Sequence, residues 1–270
     1  MSERRGAELR FRVLGPLEVR GPDGWRAIGA AKWRGILGEL LIHAGQVVTA
    51  ETLAARLWCG EPPPTARTLI RKYVMEVRRA IGDDDAATLL HRSPGYVLRA
   101  GDDEIDAGRF ERLARDGRAA MDHGDAARAC VLCAQALVLW RGPALVDVAG
   151  SPSAEAEATR LEELRLQAVE TRIEADLTLG SGAGLVAELR RLVSEHHLRE
   201  SLWRLLMRAL WAAGRPAEAL AVYAQASELL MERLGAYPGE PLRRLHEAIL
   251  TERSAPRGLA QRYRLAYSHT

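Results

Sequence analysis

Cysteine and long apolar runs are both scarce in this chain of 270 residues. The three cysteines, Cys59, Cys130 and Cys133, are an odd number, which argues against a disulfide framework and favours a reducing compartment. No apolar run approaches the length of about eighteen residues that a membrane span needs, and the N-terminus lacks the apolar stretch of a secretory signal. We therefore expect a soluble, cytoplasmic protein without a membrane partner.

Patterns typical of catalysis, nucleotide hydrolysis and metal binding are also missing. No Gly-x-x-x-x-Gly-Lys-Ser/Thr motif occurs, and no nucleophile stands beside a base in a recognisable arrangement. Cys130 and Cys133 lie within a helical pattern without a second Cys or His pair at zinc spacing, so we interpret them as small buried side chains. We expect no enzyme activity, no cofactor and no metal.

Positive charge is concentrated in the first part of the chain. Residues 1–100 carry 16 Lys and Arg against 11 Asp and Glu, a formal charge of +5, whereas the remaining residues carry 22 against 25, a charge of −3. The first hundred residues are therefore the better candidate for binding a polyanion.

The same first hundred residues have the element order of a winged helix. Apolar and charged residues alternate in the first thirty or so positions, as in strands. Apolar residues then recur at helical spacing, and a turn sequence lies near the end of the segment. We predict strands at 9–14, 17–20 and 25–28, helices from Lys32 to Ala44, after Thr49 and from Thr65 to about Ile81, and a hairpin that turns at Ser93-Pro94-Gly95.

Strand patterns cease after the polar segment that starts at Gly101, and long helical periods replace them. We predict helices near 107–122, 125–140, 154–179, 184–196, 200–213, 216–234 and 240–252, joined by short turns that resemble tetratricopeptide packing. The fold class is therefore mainly α. An α+β winged-helix domain at 1–101 is followed by an all-α, tetratricopeptide-like domain at 102–270.

The third predicted helix separates into two faces when each residue is advanced by about 100°. One face is apolar, and the other carries Arg67, Thr68, Arg71, Lys72, Met75, Arg78 and Arg79. Such a basic face suits the major groove of DNA, and its position between a helical unit and a hairpin outweighs the alternative of a merely solvated surface. We expect Arg67, Thr68, Arg71 and Lys72 to reach bases, Met75 to touch a thymine methyl group, and Arg78 and Arg79 to meet phosphates.

Two further segments supply candidate DNA contacts. Lys32 and Arg34, at the start of the first helix, are expected to hold a phosphate with the free amide groups there. On the hairpin, Arg92 and Ser93 are placed to contact the DNA backbone or the minor groove. Tyr96 is equally compatible with such a contact and with a place in the protein core.

A set of short motifs covers nearly the whole chain. The motifs are Leu14-Gly15-Pro16-Leu17, Lys32-x-Arg34, His43-Ala44-Gly45-x-Val47-Val48, Leu57-Trp58, Tyr73-Val74, Arg78-Arg79, Gly95-Tyr96-x-Leu98, Asp106-x-x-x-Phe110, Leu139-Trp140-Arg141-Gly142, Arg160-Leu161-Glu162-Glu163, Ala217-Glu218-Ala219-Leu220-x-x-Tyr223 and Leu234-Gly235-x-x-Pro238. Together they resemble the Streptomyces antibiotic regulatory protein family.

The resemblance implies an OmpR-type winged helix followed by a bacterial transcriptional activation domain. It further implies a cytoplasmic, nucleoid-associated activator of an antibiotic gene cluster that binds direct repeats in promoter DNA as a head-to-tail pair. RNA polymerase, including its sigma factor, is the implied protein partner. At two places the chain departs from the family pattern: Arg71-Lys72 replace neutral polar residues, and Trp33 replaces a smaller one beside the phosphate site of the first helix. Trp33 therefore joins the expected DNA contacts, and the target sequence is expected to differ.

Other functions remain open at the level of sequence. A repressor needs the same DNA-binding domain, a helical-repeat scaffold predicts weak binding that is indifferent to sequence, and a ligand-gated regulator needs a pocket for an effector.

Overall fold

The computed structural model describes residues 8–148 and 151–254. Over these residues the chain is mainly helical, with two small antiparallel sheets, as predicted. Its contacts define two compact units, one formed by residues 1–115 and 135–166 and the other by 116–134 and 167–270. The parts of the predicted domains at residues 1–7 and 255–270 lie outside the described residues, and the predicted junction after residue 101 stays a prediction.

The first sheet contains three short strands, β1 (Phe11–Arg12), β2 (Glu18–Gly21) and β3 (Gly24–Ala27), in the order β1-β2-β3. Phe11 pairs with Val19 in this sheet, and both are buried. β1 is shorter than the predicted strand because the N–H groups of Val13 and Leu14 donate to a carboxylate rather than to a neighbouring strand.

The winged helix follows the predicted order. Its elements are α1 (Ala31–Ile42), β4 (Val48–Thr49), α2 (Ala50–Leu57), α3 (Ala66–Ile81), β5 (Leu89–Arg92) and β6 (Gly95–Leu98). The second sheet has the order β4-β6-β5, so β4, which the sequence pattern did not predict, joins the hairpin to the start of α2. The Thr49 hydroxyl accepts a hydrogen bond from the Thr52 N–H at 3.0 Å and caps α2 as expected.

In the described part of the chain, seven helices follow, close to the predicted bounds. They are α4 (Asp106–Asp122), α5 (Ala126–Val138), α6 (Pro152–Thr178), α7 (Gly182–Glu195), α8 (Glu200–Ala212), α9 (Pro216–Leu234) and α10 (Glu240–Ser254). Local residues explain several ends: Pro216 opens α9, where its missing N–H has no helical partner to lose, and Gly235 closes the helix in the left-handed conformation.

Asp106 fastens the first turn of α4 to the segment after β1. Its carboxylate is buried and accepts hydrogen bonds from the N–H groups of Val13 at 2.7 Å and Leu14 at 3.2 Å. Burial raises the pKa of Asp106 to about 6, although the two N–H donors and the Arg141 guanidinium act in the opposite direction. The family motifs that begin at Leu14 and at Asp106 therefore contact each other in the folded chain.

A second buried carboxylate, that of Glu39, joins three segments of the same unit. Glu39 on α1 accepts hydrogen bonds from the Arg56 guanidinium of α2 and from the hydroxyls of Ser151 and Ser153, at the start of α6. Close by, a Cβ on Gly38 would lie 2.6 Å from a methyl group of Val148. Because removing one partner of a buried charge is costly, these contacts hold the winged helix against Val148 and the start of α6.

Cys130 and Cys133, which we interpreted as small buried side chains, differ in their burial. Cys133 is buried, and burial raises the pKa of its thiol to about 11, whereas Cys130 is half-buried and donates to Asp176 at 3.0 Å. The described residues contain no group of His, Cys, Asp and Glu arranged to hold a metal ion. None of the helices described is both long and apolar enough to cross a bilayer.

Candidate nucleic-acid interface

The apolar face of α3 is buried in the winged helix. Its buried residues are Ala66, Ile70, Val74, Val77 and Ile81, which follow helical spacing. Gly82 ends the helix in the left-handed conformation, and the buried Asp83 accepts hydrogen bonds from the N–H groups of Thr88 and Leu89, both at 2.8 Å. These contacts fix the rotation of α3 about its axis and therefore determine which side chains face solvent.

The opposite face of α3 is exposed and basic. Arg67, Thr68, Arg71, Lys72, Met75 and Arg79 are all exposed. Met75 is 63% exposed, so this face presents one apolar side chain among its cations. Among the described residues, Arg71 and Lys72 make no ion pair or side-chain hydrogen bond, so their charges are available to an anion.

Two arginines on this face are paired with carboxylates. Arg67, in the first turn of α3, forms an ion pair with Glu51 of α2. Arg79, near the end of the helix, pairs with Glu76 at 3.0 Å. Both arginine side chains are 76% exposed, so solvent screens these ion pairs and keeps them weak.

Arg78 has a different position from the one predicted. It is half-buried, and its Nε and Nη2 atoms donate to the Leu89 carbonyl oxygen at 3.0 and 2.8 Å. Arg78 therefore ties α3 to β5 of the hairpin, where we expected a phosphate contact. The sequence pattern assigned it to the basic face because helical spacing alone does not show which carbonyl groups lie nearby.

The start of α1 also differs from the expectation of a free phosphate site. The Arg34 guanidinium donates to the carbonyl oxygens of Ile28, Gly29 and Asp147 and pairs with the Asp147 carboxylate at 3.4 Å. The Lys32 ammonium donates to the Leu57 carbonyl, and its Nζ atom lies 5.0 Å from the centre of the Trp58 ring. Both cations hold the fold together, and Trp33 beside them is half-buried.

The hairpin presents part of the predicted set to solvent. Arg92 and Ser93 are exposed at its turn, whereas Tyr96 is 6% exposed and packs its ring against His91 with the centres 5.3 Å apart. Tyr96 is thus a core residue, because β6 lies between β4 and β5. Gly95 permits this arrangement, since a Cβ there would lie 1.9 Å from the Val48 carbonyl oxygen of β4.

Sequence reasoning missed two residues at this surface. The ion pair between Glu51 and Arg67 could not be predicted from helical spacing, because the two residues are 16 positions apart and lie on different helices. His91 is exposed next to Arg92 on β5, and the short strand gave too few alternating positions to assign it a face.

Both halves of the chain match known families of regulators. Residues 29–98 match the family model "Transcriptional regulatory protein, C terminal", and residues 105–250 match "Bacterial transcriptional activator domain". A solved structure of Mycobacterium tuberculosis EmbR, in complex with a low-affinity phosphopeptide, superposes with a TM-score of 0.85 at 33% identity and covers 96% of this chain and 69% of that one.

Two relatives of this chain are named as regulatory proteins. Regulatory protein DnrI of Streptomyces peucetius is 36% identical over 90% of this chain and 92% of the relative. Regulatory protein AfsR of Streptomyces griseus is 41% identical over 90% of this chain but only 24% of its own length. The chain thus spans about a quarter of the AfsR relatives.

A winged helix with an exposed basic third helix, followed by a region that matches the bacterial transcriptional activator domain, is the architecture of the OmpR-type class of transcriptional regulators. The chain belongs to the Streptomyces antibiotic regulatory protein family. The families and relatives that match it are regulators rather than enzymes.

Proposed function

We propose that this protein is a sequence-specific activator of an antibiotic or other secondary-metabolite gene cluster in the bacterial cytoplasm. It binds direct repeats in a promoter as a head-to-tail pair and recruits RNA polymerase through contacts that include the sigma factor. The observation that carries the DNA-binding part of this proposal is the exposed face of α3, where Arg71 and Lys72 have no protein partner among the described residues. The activator part rests on the family match at residues 105–250.

The proposed contacts fall into three groups. Arg67, Thr68, Arg71, Lys72 and Met75 face the bases, because they occupy the first turns of the exposed face. Arg79, Arg92 and Ser93 contact the phosphate backbone at the edges of the surface. Lys32, Trp33, Arg34, Arg78 and Tyr96 position these residues from within the winged helix and do not themselves carry the sequence preference.

Selection of bound oligonucleotides from a random pool tests the proposal without knowledge of the promoter. We expect the full chain to enrich a tandem direct repeat at moderate salt. A well-folded protein that enriches no motif would contradict the proposal and favour a helical-repeat scaffold or a regulator that needs an effector. Transcription with purified polymerase from the selected site then distinguishes activation from repression.

Arg71→Ala and Arg79→Ala are expected to have different effects on DNA binding. Arg71→Ala removes a base contact, which we expect to cost about 1–3 kcal/mol on the selected site and to relax the base preference at one position. Arg79→Ala removes a phosphate contact, which weakens binding to every sequence alike and lowers the salt dependence by about one ion. Binding isotherms on selected and random duplexes over a range of salt measure both effects. Equal losses on both duplexes for both variants would contradict the assignment.

A further inference from the structure

A cavity of about 200 Å³ lies between α1, α4 and α6. Four of the residues that line it form what we call its floor: Leu41 of α1, Ile105 beside the start of α4, Leu145, and Leu161 of α6. Each of the four is at most 7% exposed, so the floor lies below the protein surface. Since an apolar cavity of about 150 Å³ is enough for a benzene ring, this floor has room for a compact apolar group.

The charged residues that line the cavity, which we call its rim, are mainly acidic. Asp102, Glu111 of α4 and Glu157 of α6 contribute three carboxylates, whereas Arg160 of α6 is the only basic residue among the described residues of the lining. Three negative charges and one positive charge give the rim a formal charge of −2. A rim of this sign attracts a cation and repels an anion.

Arg160 does not exhaust the acceptors of the rim. Its guanidinium donates four hydrogen bonds, two to Glu111 and two to Glu157, over 2.6–3.3 Å. Each of the four carboxylate oxygens accepts one of these bonds and has a second lone pair to offer. Asp102 is exposed and forms no ion pair with any residue that the structure describes. The rim therefore has acceptors and negative charge left for a second cationic group.

The cavity is smaller than the pockets of about 300–1,000 Å³ that hold drug-sized ligands, and its buried floor is out of reach of a polypeptide backbone. We propose that it binds a small organic amine. The apolar body of the amine packs on the floor, and its ammonium group donates to the Glu111 and Glu157 carboxylates beside the Arg160 guanidinium. Because Leu41 lies within residues 29–98 and Leu161 within 105–250, such a ligand contacts both of the family-matched regions.

The test titrates three probes into the full chain and follows the leucine methyl signals by NMR. Benzylamine has the apolar body and the ammonium group, benzyl alcohol has the same shape without the charge, and methylammonium has the charge without the ring. We expect benzylamine to shift the methyl signals of Leu41, Leu145 and Leu161. It should bind at least about fivefold more tightly than benzyl alcohol, because its charge adds attraction at the partly exposed rim. Methylammonium should leave these signals unchanged.

Three results of the titration would overturn the proposal. Benzylamine that shifts no methyl signal of the floor does not bind there. Equal affinity for benzylamine and benzyl alcohol would show that the rim does not select a cation. Equal shifts with methylammonium would reduce the site to an acidic surface without a role for the floor.

Glu157→Gln removes one charge of the rim, and Glu162→Gln is its matched control. Each glutamate pairs with the arginine three positions later on α6, Arg160 or Arg165, but Glu162 is not part of the lining. We expect Glu157→Gln to weaken benzylamine binding about threefold and to leave benzyl alcohol binding unchanged, because only the amine is charged. Glu162→Gln should alter neither. Equal losses of benzylamine binding in the two variants would contradict a localised amine site.

Salt gives a second measurement on the wild-type protein. Added salt screens the rim, so it should weaken binding of benzylamine and not of benzyl alcohol. Affinities for both probes that respond alike to salt would overturn the proposal, even if Glu157→Gln is too unstable to titrate. No DNA enters these titrations, so their outcome is independent of whether the full chain enriches a direct repeat.

Discussion

Gly95→Ala is expected to detach the hairpin from the rest of the winged helix. A Cβ at this position would lie 1.9 Å from the Val48 carbonyl oxygen and 2.6 Å from the Thr49 Cα atom. Both atoms belong to the backbone of β4, so no side-chain rotation relieves the clash and the β4–β6 pairing must open. We expect a loss of about 3 kcal/mol in the free energy of unfolding, at the upper end for overpacked sites.

The same substitution is expected to weaken DNA binding, because the hairpin carries Arg92 and Ser93 at its turn. Denaturant unfolding and hydrogen exchange of the hairpin amides measure the two consequences separately. Gly184→Ala is the control, since a Cβ there meets nothing within 4 Å and alanine suits the helix α7. Unchanged stability and exchange in Gly95→Ala would show that β4 and β6 are not held as closely as the structure places them.

Asp106→Asn is expected to change both the stability of the protein and its dependence on pH. The asparagine amide cannot accept from the N–H groups of Val13 and Leu14 together, and an unsatisfied buried N–H costs about 1–3 kcal/mol. The wild-type carboxyl has its pKa raised to about 6, so the folded state binds a proton more tightly than the unfolded state does. Its contribution to stability is therefore complete below about pH 4 and lost as the pH rises through 6.

We expect the difference in unfolding free energy between wild type and Asp106→Asn to shrink by about 2–3 kcal/mol from pH 4 to pH 7. Asp122→Asn, which removes an exposed carboxylate from the other end of α4, is the control for the loss of a surface charge. Carboxyl carbon chemical shifts provide a direct titration of Asp106, with an expected midpoint near 6. A difference that stays constant or grows with pH would mean that the N–H donors and Arg141 outweigh burial.

The sequence alone was sufficient for the order of the helices, the first sheet and the hairpin, and for the two faces of α3. Helical periodicity is local, so residues such as Ile70 and Val74 show their burial by spacing alone. Capping and stop residues are local as well, and Thr49 and Gly82 act where the pattern predicts. The short strand β4 escaped prediction because two residues are too few for an alternating pattern.

The sequence was a poorer guide to which individual cations are exposed and unpaired. Six of the seven residues predicted on the basic face of α3 are exposed, and Arg78 is the exception. Arg78 and Arg34 donate to the carbonyl groups of Leu89 and Asp147, whose positions depend on how β5 and the segment before α6 pack. Spacing along one helix contains no information about such acceptors.

What the sequence determined is therefore the kind of protein: the winged helix, the helical second half, the basic face of α3 and the family. The tertiary structure decided which charges that face can offer. A guanidinium or ammonium group binds whichever acceptor the packed chain brings within reach, so Arg34, Arg78 and Lys32 are held by protein carbonyl groups and Arg67 by Glu51. Arg71 and Lys72 stay available because, among the described residues, packing places no acceptor beside them.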